Sequence, residues 1–123
     1  MTVSELFDSA IWLDYLIKGS LKEKIEGDDL FGLSTLSLFE IKRKLLRNKE
    51  LKKETIKEKM VFIKKKSLLY VVDEEIADKA SEIADETGLG AADALIYATA
   101  LRNKLTFVTL DTDFRGLTGV RVL

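Results

Sequence analysis

The sequence contains no cysteine, no histidine, no proline and no glutamine. Without cysteine there are no disulfides, no thiolate zinc sites and no cysteine nucleophile. Without histidine a Ser-His-Asp triad and imidazole acid–base chemistry are excluded as well. Any metal must be held by oxygen, a donor set that suits Mg²⁺, Mn²⁺ or Ca²⁺. Asparagine occurs only at 48 and 103 while lysine and glutamate abound, a composition of the thermophile kind against which the absence of proline runs. No apolar run approaches the roughly 18 residues of a membrane span. The segment Met1 to Phe7 lacks the basic and long apolar stretches of a signal peptide. A cytoplasmic protein with no membrane association is therefore expected.

What is present suits one soluble domain. The 123 residues are 46% hydrophobic and 33% charged, enough to bury a single core without staples. The net charge of −1 conceals an uneven distribution. Between Lys42 and Lys66 twelve Lys/Arg face three Glu, whereas the remainder holds eight Lys/Arg and eighteen Asp/Glu. A basic segment is set in an acidic body. It reads either as a polyanion-binding face or as a pair of solvated helices.

Hydrophobic spacing alternates between strand and helix. Val3 to Phe7 reads as a short strand, weakened by Ser4 and Glu5 and ending at Asp8. A helix follows over Ala10 to Ile17, capped by Asp8 or Ser9, and a shorter one over Leu21 to Glu26. Leu30 to Ser34 is a second strand, and Thr35 or Ser37 opens a helix to about Asn48. Lys53 to Lys65 is helical, Leu68 to Val72 a third strand, and Asp73 begins a helix that Gly88 stops. Ala91 to Leu101 is apolar nearly all round apart from Asp93, the signature of a buried helix. Leu105 to Leu110 and Gly119 to Leu123 complete the strands. Such alternation predicts a three-layer α/β/α sandwich with a largely parallel sheet of about five strands, because parallel strands need crossover connections.

In open parallel sheets, sites lie beyond the carboxyl ends of the strands. Asp8 and Asp111 end the first and fourth strands, and Glu40 lies early in the helix after the second. Asp93 joins them if the Gly88-Leu89-Gly90 turn lies near that edge and the buried helix returns from it. Carboxylates gathered there repel one another, and a divalent cation offsets the repulsion. Ser9 and Thr109 place hydroxyls beside these acids, suited to orienting a carboxylate. Each acid also has a plain structural role. Asp8 is a helix cap, Glu40 an i,i+4 partner of Lys44, Asp93 a helix N-terminal acid, and Asp111 and Asp113 are turn residues. Trp12, Tyr15 and Tyr97 read as core or interface residues rather than base-stacking platforms.

Three segments resemble the PIN-domain family, in particular its VapC-type toxin nucleases. They are Phe7-Asp8-Ser9 with Ile11 to Leu16, then Leu36-Ser37-Leu38-Phe39-Glu40-Ile41, then Gly88 to Ala100 followed by Leu105 to Phe114. The third is the specific one. The resemblance spans essentially the whole chain. It implies an Mg²⁺- or Mn²⁺-dependent endoribonuclease with Asp8, Glu40, Asp93 and Asp111 as catalytic metal-binding acids. Asp113 is a fifth candidate ligand, and Ser9 and Thr109 match the family's small hydroxyl positions. The chain departs from the pattern at Leu110, where many members carry Arg, which bears on a substrate contact. The resemblance also implies a homodimer and, for a toxin, a neutralising antitoxin. Lys42, Arg43, Lys44 and Arg47 then become candidate RNA contacts, indifferent to base sequence. Two other readings stay open: a housekeeping RNA-processing nuclease with the same site, and a catalytically inactive PIN-like binding module.

Overall fold

A computed structural model describes residues 2–123; Met1, the first residue of the segment read above for a signal peptide, lies outside them. Five strands form one sheet, β1 (Glu5–Phe7), β2 (Phe31–Ser34), β3 (Ser67–Tyr70), β4 (Thr106–Thr109) and β5 (Val120–Val122), in the order β3-β2-β1-β4-β5. Every pairing is parallel. The strands are shorter than the hydrophobic runs suggest, because the flanking residues leave the ladder for turns. Leu110, expected in the fourth strand, lies beyond it and is exposed.

Helices α1 (Ser9–Lys18), α2 (Lys22–Glu26), α3 (Thr35–Arg47) and α4 (Lys53–Lys65) cover one face. Their apolar stripes meet Phe7, Phe31, Leu33 and Val108 from the sheet. Helices α5 (Glu74–Thr87) and α6 (Ala91–Arg102) cover the other, against Leu6 and Phe107. The three-layer α/β/α architecture is thus the one expected. Alternate residues of β1 serve opposite layers, Phe7 one and Leu6 the other, as the period of a strand requires. Glu5, which looked foreign to a strand, is held by Lys24 at 3.0 Å and by Arg121.

Local chemistry sets the helix ends. Asp8 caps α1 and Gly19 ends it at φ 74°, a left-handed conformation that glycine adopts without steric cost. Ser34, one residue before the expected Thr35, caps α3 by accepting from the Leu36 amide. Asp73 caps α5 through the Ile76 amide, 2.9 Å away. Arg102 Nε donates to Glu75 Oε2 at 2.7 Å, tying the end of α6 to the start of α5. The two helices are therefore antiparallel, and the turn at Gly88–Gly90 lies at the Asp93 end. Trp12 is 0% exposed and Tyr97 4%, so both are core residues and neither is free to stack a base or face a partner. Tyr15 donates from its hydroxyl to Glu26 and stacks on Phe62.

Candidate active site

Strands β1 and β4 are neighbours, with Phe7 opposite Val108. The next residue of β1's chain is Asp8, whose amide donates to the Val108 carbonyl at 3.0 Å. This pairing carries Asp8 to the carboxyl edge beside Thr109. The Thr109 hydroxyl donates to Asp8 Oδ2 at 2.8 Å, and the Ser9 amide donates to Oδ1 at 2.8 Å. Both carboxylate oxygens are held. The cap and the candidate ligand are the same side chain, so the two readings of Asp8 do not compete.

Thr109 also accepts from the Asp111 amide at 3.1 Å, which fixes the chain as it leaves β4. Asp111 Oδ1 in turn accepts from the Asp113 amide at 2.9 Å and starts a 3-10 turn over Thr112–Phe114. Phe114 anchors that turn, buried against Phe107 and Tyr97. The acidic pair is thus nailed to the core by one aromatic residue. The sequence pattern shows the turn residues but not this anchor.

Electrostatics report the convergence of the acids. Burial pushes the Asp8 carboxyl above its ordinary range, the Thr109 and Ser9 hydrogen bonds oppose that, and Asp111 pushes it further up. Glu40 is raised by burial and then by the charges of Asp8 and Asp93, with Lys44 and Arg43 acting the other way. Asp93 is raised by burial and by Asp8, Asp111 and Asp113. Each of the four acids proposed from the sequence therefore lies in the field of others, and Asp113 joins them from the exposed side of the turn. Among the described residues, Glu40 makes no ion pair with Lys44, contrary to the plain reading of their i,i+4 spacing. The Lys44 charge acts on both Glu40 and Asp8, opposing the rise of their carboxyls.

The donor chemistry suits a hard cation. All the side chains are carboxylates, and three have their charged forms penalised by burial and by each other, a penalty that a divalent charge reverses. Among the described residues no three acids stand close enough together to hold a metal ion between them as they are placed. The convergence is one of charge at a shared edge. Asp8, Glu40, Asp93 and Asp111 are the residues available to hold such an ion.

A family model described as PIN domain matches residues 6–119, nearly the whole chain. The chain belongs to the PIN domain family. That match takes in all of β1 but Glu5, the four acids and the turn after β4. The PIN fold is repeated in solved structures. One, a toxin–antitoxin complex from Klebsiella pneumoniae, has a TM-score of 0.83 at 22% identity, covering 97% of each chain. VapBC2 from Rickettsia felis, bound to a DNA fragment from its promoter, has a TM-score of 0.79 at 18% identity over 98% of each chain. VapC20 of Mycobacterium tuberculosis, a toxin that cleaves the sarcin-ricin loop, has a TM-score of 0.71 at 17% identity, covering 96% of this chain and 99% of its own. At these identities the likeness is one of fold. No curated protein matches the sequence. No helix of this PIN domain, among the described residues, is long and apolar enough to cross a membrane.

Two residues that bear on the site escape the sequence reading. Phe39 precedes Glu40 yet lies off the buried face of α3 and is 63% exposed. The helical spacing of buried Ser37, Ile41 and Leu45 was the available signal, since residue 39 does not share their stripe. Phe114 was quoted only as part of a motif, with no role attached.

Proposed function

We propose that this PIN domain is an endoribonuclease that hydrolyses RNA phosphodiester bonds with Mg²⁺ or Mn²⁺, and that it serves as the toxin of a toxin–antitoxin pair. The observation that carries this reading is the meeting of Asp8 and Asp111 at the Thr109 hydroxyl, on the carboxyl edge of a PIN-fold sheet, with Glu40 and Asp93 near enough for the Asp8 charge to push their carboxyls up. The toxin role draws on the solved structures of similar fold, which include toxin–antitoxin complexes. A homodimer, a protein antitoxin and a cytoplasmic location belong to the same proposal.

In this scheme Asp8, Glu40, Asp93 and Asp111 hold the cation, with Asp113 as an outer carboxylate. When bound, the ion supplies neutralising charge for the carboxylates and for the phosphodiester, and it acidifies water at the site. Thr109 and the Ser9 amide keep Asp8 in a single orientation, so that its position costs no reorganisation when substrate arrives. Asp111 is fixed in the same way through the Asp113 amide. Lys44 sets a positive charge beside Asp8 and Glu40, which draws a phosphate toward an otherwise anionic edge. Lys42, Arg43 and Arg47 extend that attraction along α3 by contacting the RNA backbone.

The test compares wild type with Asp93→Asn on structured RNA, in Mg²⁺ or Mn²⁺ and in EDTA. Cleavage by the wild type alone, and only with metal, is expected. Equal cleavage by every sample defeats the reading. A housekeeping nuclease would use the same site, and a small upstream gene for a DNA-binding antitoxin separates the two. A binding module without activity would show no divalent-cation binding in calorimetry.

A further inference from the structure

The outer side of α3, with Lys49 just beyond its end, bounds a shallow groove of about 560 Å³. Leu38, Phe39 and Leu46 give it an apolar lining, and Lys42, Arg43 and Arg47 line it as well. No carboxylate lines it. That is notable in a chain whose acids outnumber its bases. Arg43 lines the groove one helical turn after Glu40 on α3. Phe39 and Arg43 flank Glu40 in the sequence of α3, so groove and acidic edge adjoin along that helix. Phe39 is 63% exposed, and Leu46, one turn pair further along the same face, is 52% exposed.

We propose that this groove seats an unpaired nucleobase of the RNA, stacked on Phe39, with the flanking phosphates on Arg43 and Lys42. The inference rests on the nuclease reading and adds to it a base subsite and a positioning residue. A phenyl ring offers a face on which any base stacks, and cations on either side take the backbone, the combination by which proteins hold single strands. A guanidinium adjoining the ring adds its own planar surface for a base. A phosphate on Arg43 lies next to Glu40, so a base on Phe39 places the neighbouring phosphodiester toward the carboxylates. The α3 and α4 of a second copy carry the same positive charge and would repel this face. An acidic amphipathic helix from another protein is the competing occupant. Two features favour RNA: the aromatic residue is next to Glu40 in the chain, and all the charge lining the groove is positive.

The test uses the full chain with Asp93→Asn to prevent cleavage, and a short single-stranded RNA carrying 2-aminopurine. Its fluorescence is quenched when the base stacks. Phe39→Ala in that background is expected to weaken binding roughly 10-fold and to abolish the quenching. Phe39→Trp is expected to restore both, and a fully paired duplex of the same sequence to bind the two variants alike. In the cleaving protein, Phe39→Ala raises KM for single-stranded substrate. Unchanged binding and quenching in Phe39→Ala, with wild type still cleaving RNA, overturns the subsite and leaves the nuclease standing. The same result together with Phe39-dependent binding of an acidic amphipathic peptide assigns the groove to a protein instead. Absence of metal-dependent cleavage by wild type removes both proposals.

Discussion

Thr109 and Asp8 are 101 positions apart in the chain, and their side chains meet in a buried hydrogen bond of 2.8 Å. The bond joins the ends of two neighbouring parallel strands and fixes one oxygen of the most buried acid of the cluster. Thr109 is itself 0% exposed, and its oxygen also accepts from the Asp111 amide. A single hydroxyl thus sets two of the four acids.

Thr109→Val keeps the shape and removes the hydroxyl. Asp8 then loses a donor and the Asp111 amide an acceptor. The expected cost is about 1–3 kcal/mol of stability, read as a shift of the urea midpoint. Metal-dependent cleavage is expected to fall roughly 10- to 100-fold, the usual effect of losing a residue that orients a ligand. Thr109→Ser retains the hydroxyl and is expected to recover most of the activity.

Asp93→Asn separates function from folding. The carboxylate at 93 is penalised by burial and by the charges of Asp8, Asp111 and Asp113. Neutralising it removes that repulsion, so without metal the variant is expected to melt at or about 1–4 °C above wild type. Cleavage is expected to drop at least about 100-fold, since several kcal/mol of charge stabilisation depend on the ion being held. Mn²⁺ is expected to raise the wild-type melting temperature and to have a smaller effect on the variant. A variant that melts lower and still responds fully to Mn²⁺ would place Asp93 outside the ion site.

The alternation of strands and helices in the chain was enough to give the layers and the parallel sheet, because short strands joined by long amphipathic segments leave few other arrangements. The carboxyl-edge rule then placed Asp8, Asp111 and Glu40. Asp93 was harder. Its position depends on α5 and α6 running antiparallel, which the Glu75–Arg102 pair shows and no local propensity does. Trp12 and Tyr97 could be placed in the core only once both layers were known. The side of α3 that Phe39 occupies followed from helical spacing, but its use did not, because a groove is made by the surrounding side chains together. The reach of the Lys44 charge was likewise hidden. Its i,i+4 spacing suggested Glu40 alone, whereas Asp8 also lies within its field.

Gly32 tests the packing under the site. It lies opposite Leu6 in the ladder, and a Cβ there would come within 2.9 Å of Leu105 Cδ1 and 3.0 Å of Tyr70 Cε2. Gly32→Ala therefore overpacks the junction of β1, β2 and β4. The expected cost is about 1–3 kcal/mol, measured by chemical denaturation. Leu105→Ala in the same chain removes the nearest atom, so the double variant is expected to lose less than the sum of the singles. Simple additivity would show that the two side chains do not meet.

Tyr15 gives a pH signature remote from the acids. Its hydroxyl is 2.6 Å from Glu26 Oε2, to which it donates. Burial, that hydrogen bond and the carboxylate charge together push its pKa up to about 12, from 10.0. The sign follows from which form the fold prefers. The folded protein favours the protonated phenol more strongly than the unfolded chain does, so the contribution is complete below about pH 10, declines as pH rises and is gone above about 12. Tyr15→Phe lacks the hydroxyl and keeps the ring against Phe62, 5.9 Å between centroids. Below pH 10 wild type is expected to be the more stable of the two, with the difference shrinking through the window between the two pKa values. Urea midpoints at a series of alkaline pH values measure it, and phenolate absorbance of the folded proteins reports the titration directly. A wild-type advantage that stayed constant through that window would mean that folding does not raise the Tyr15 phenol.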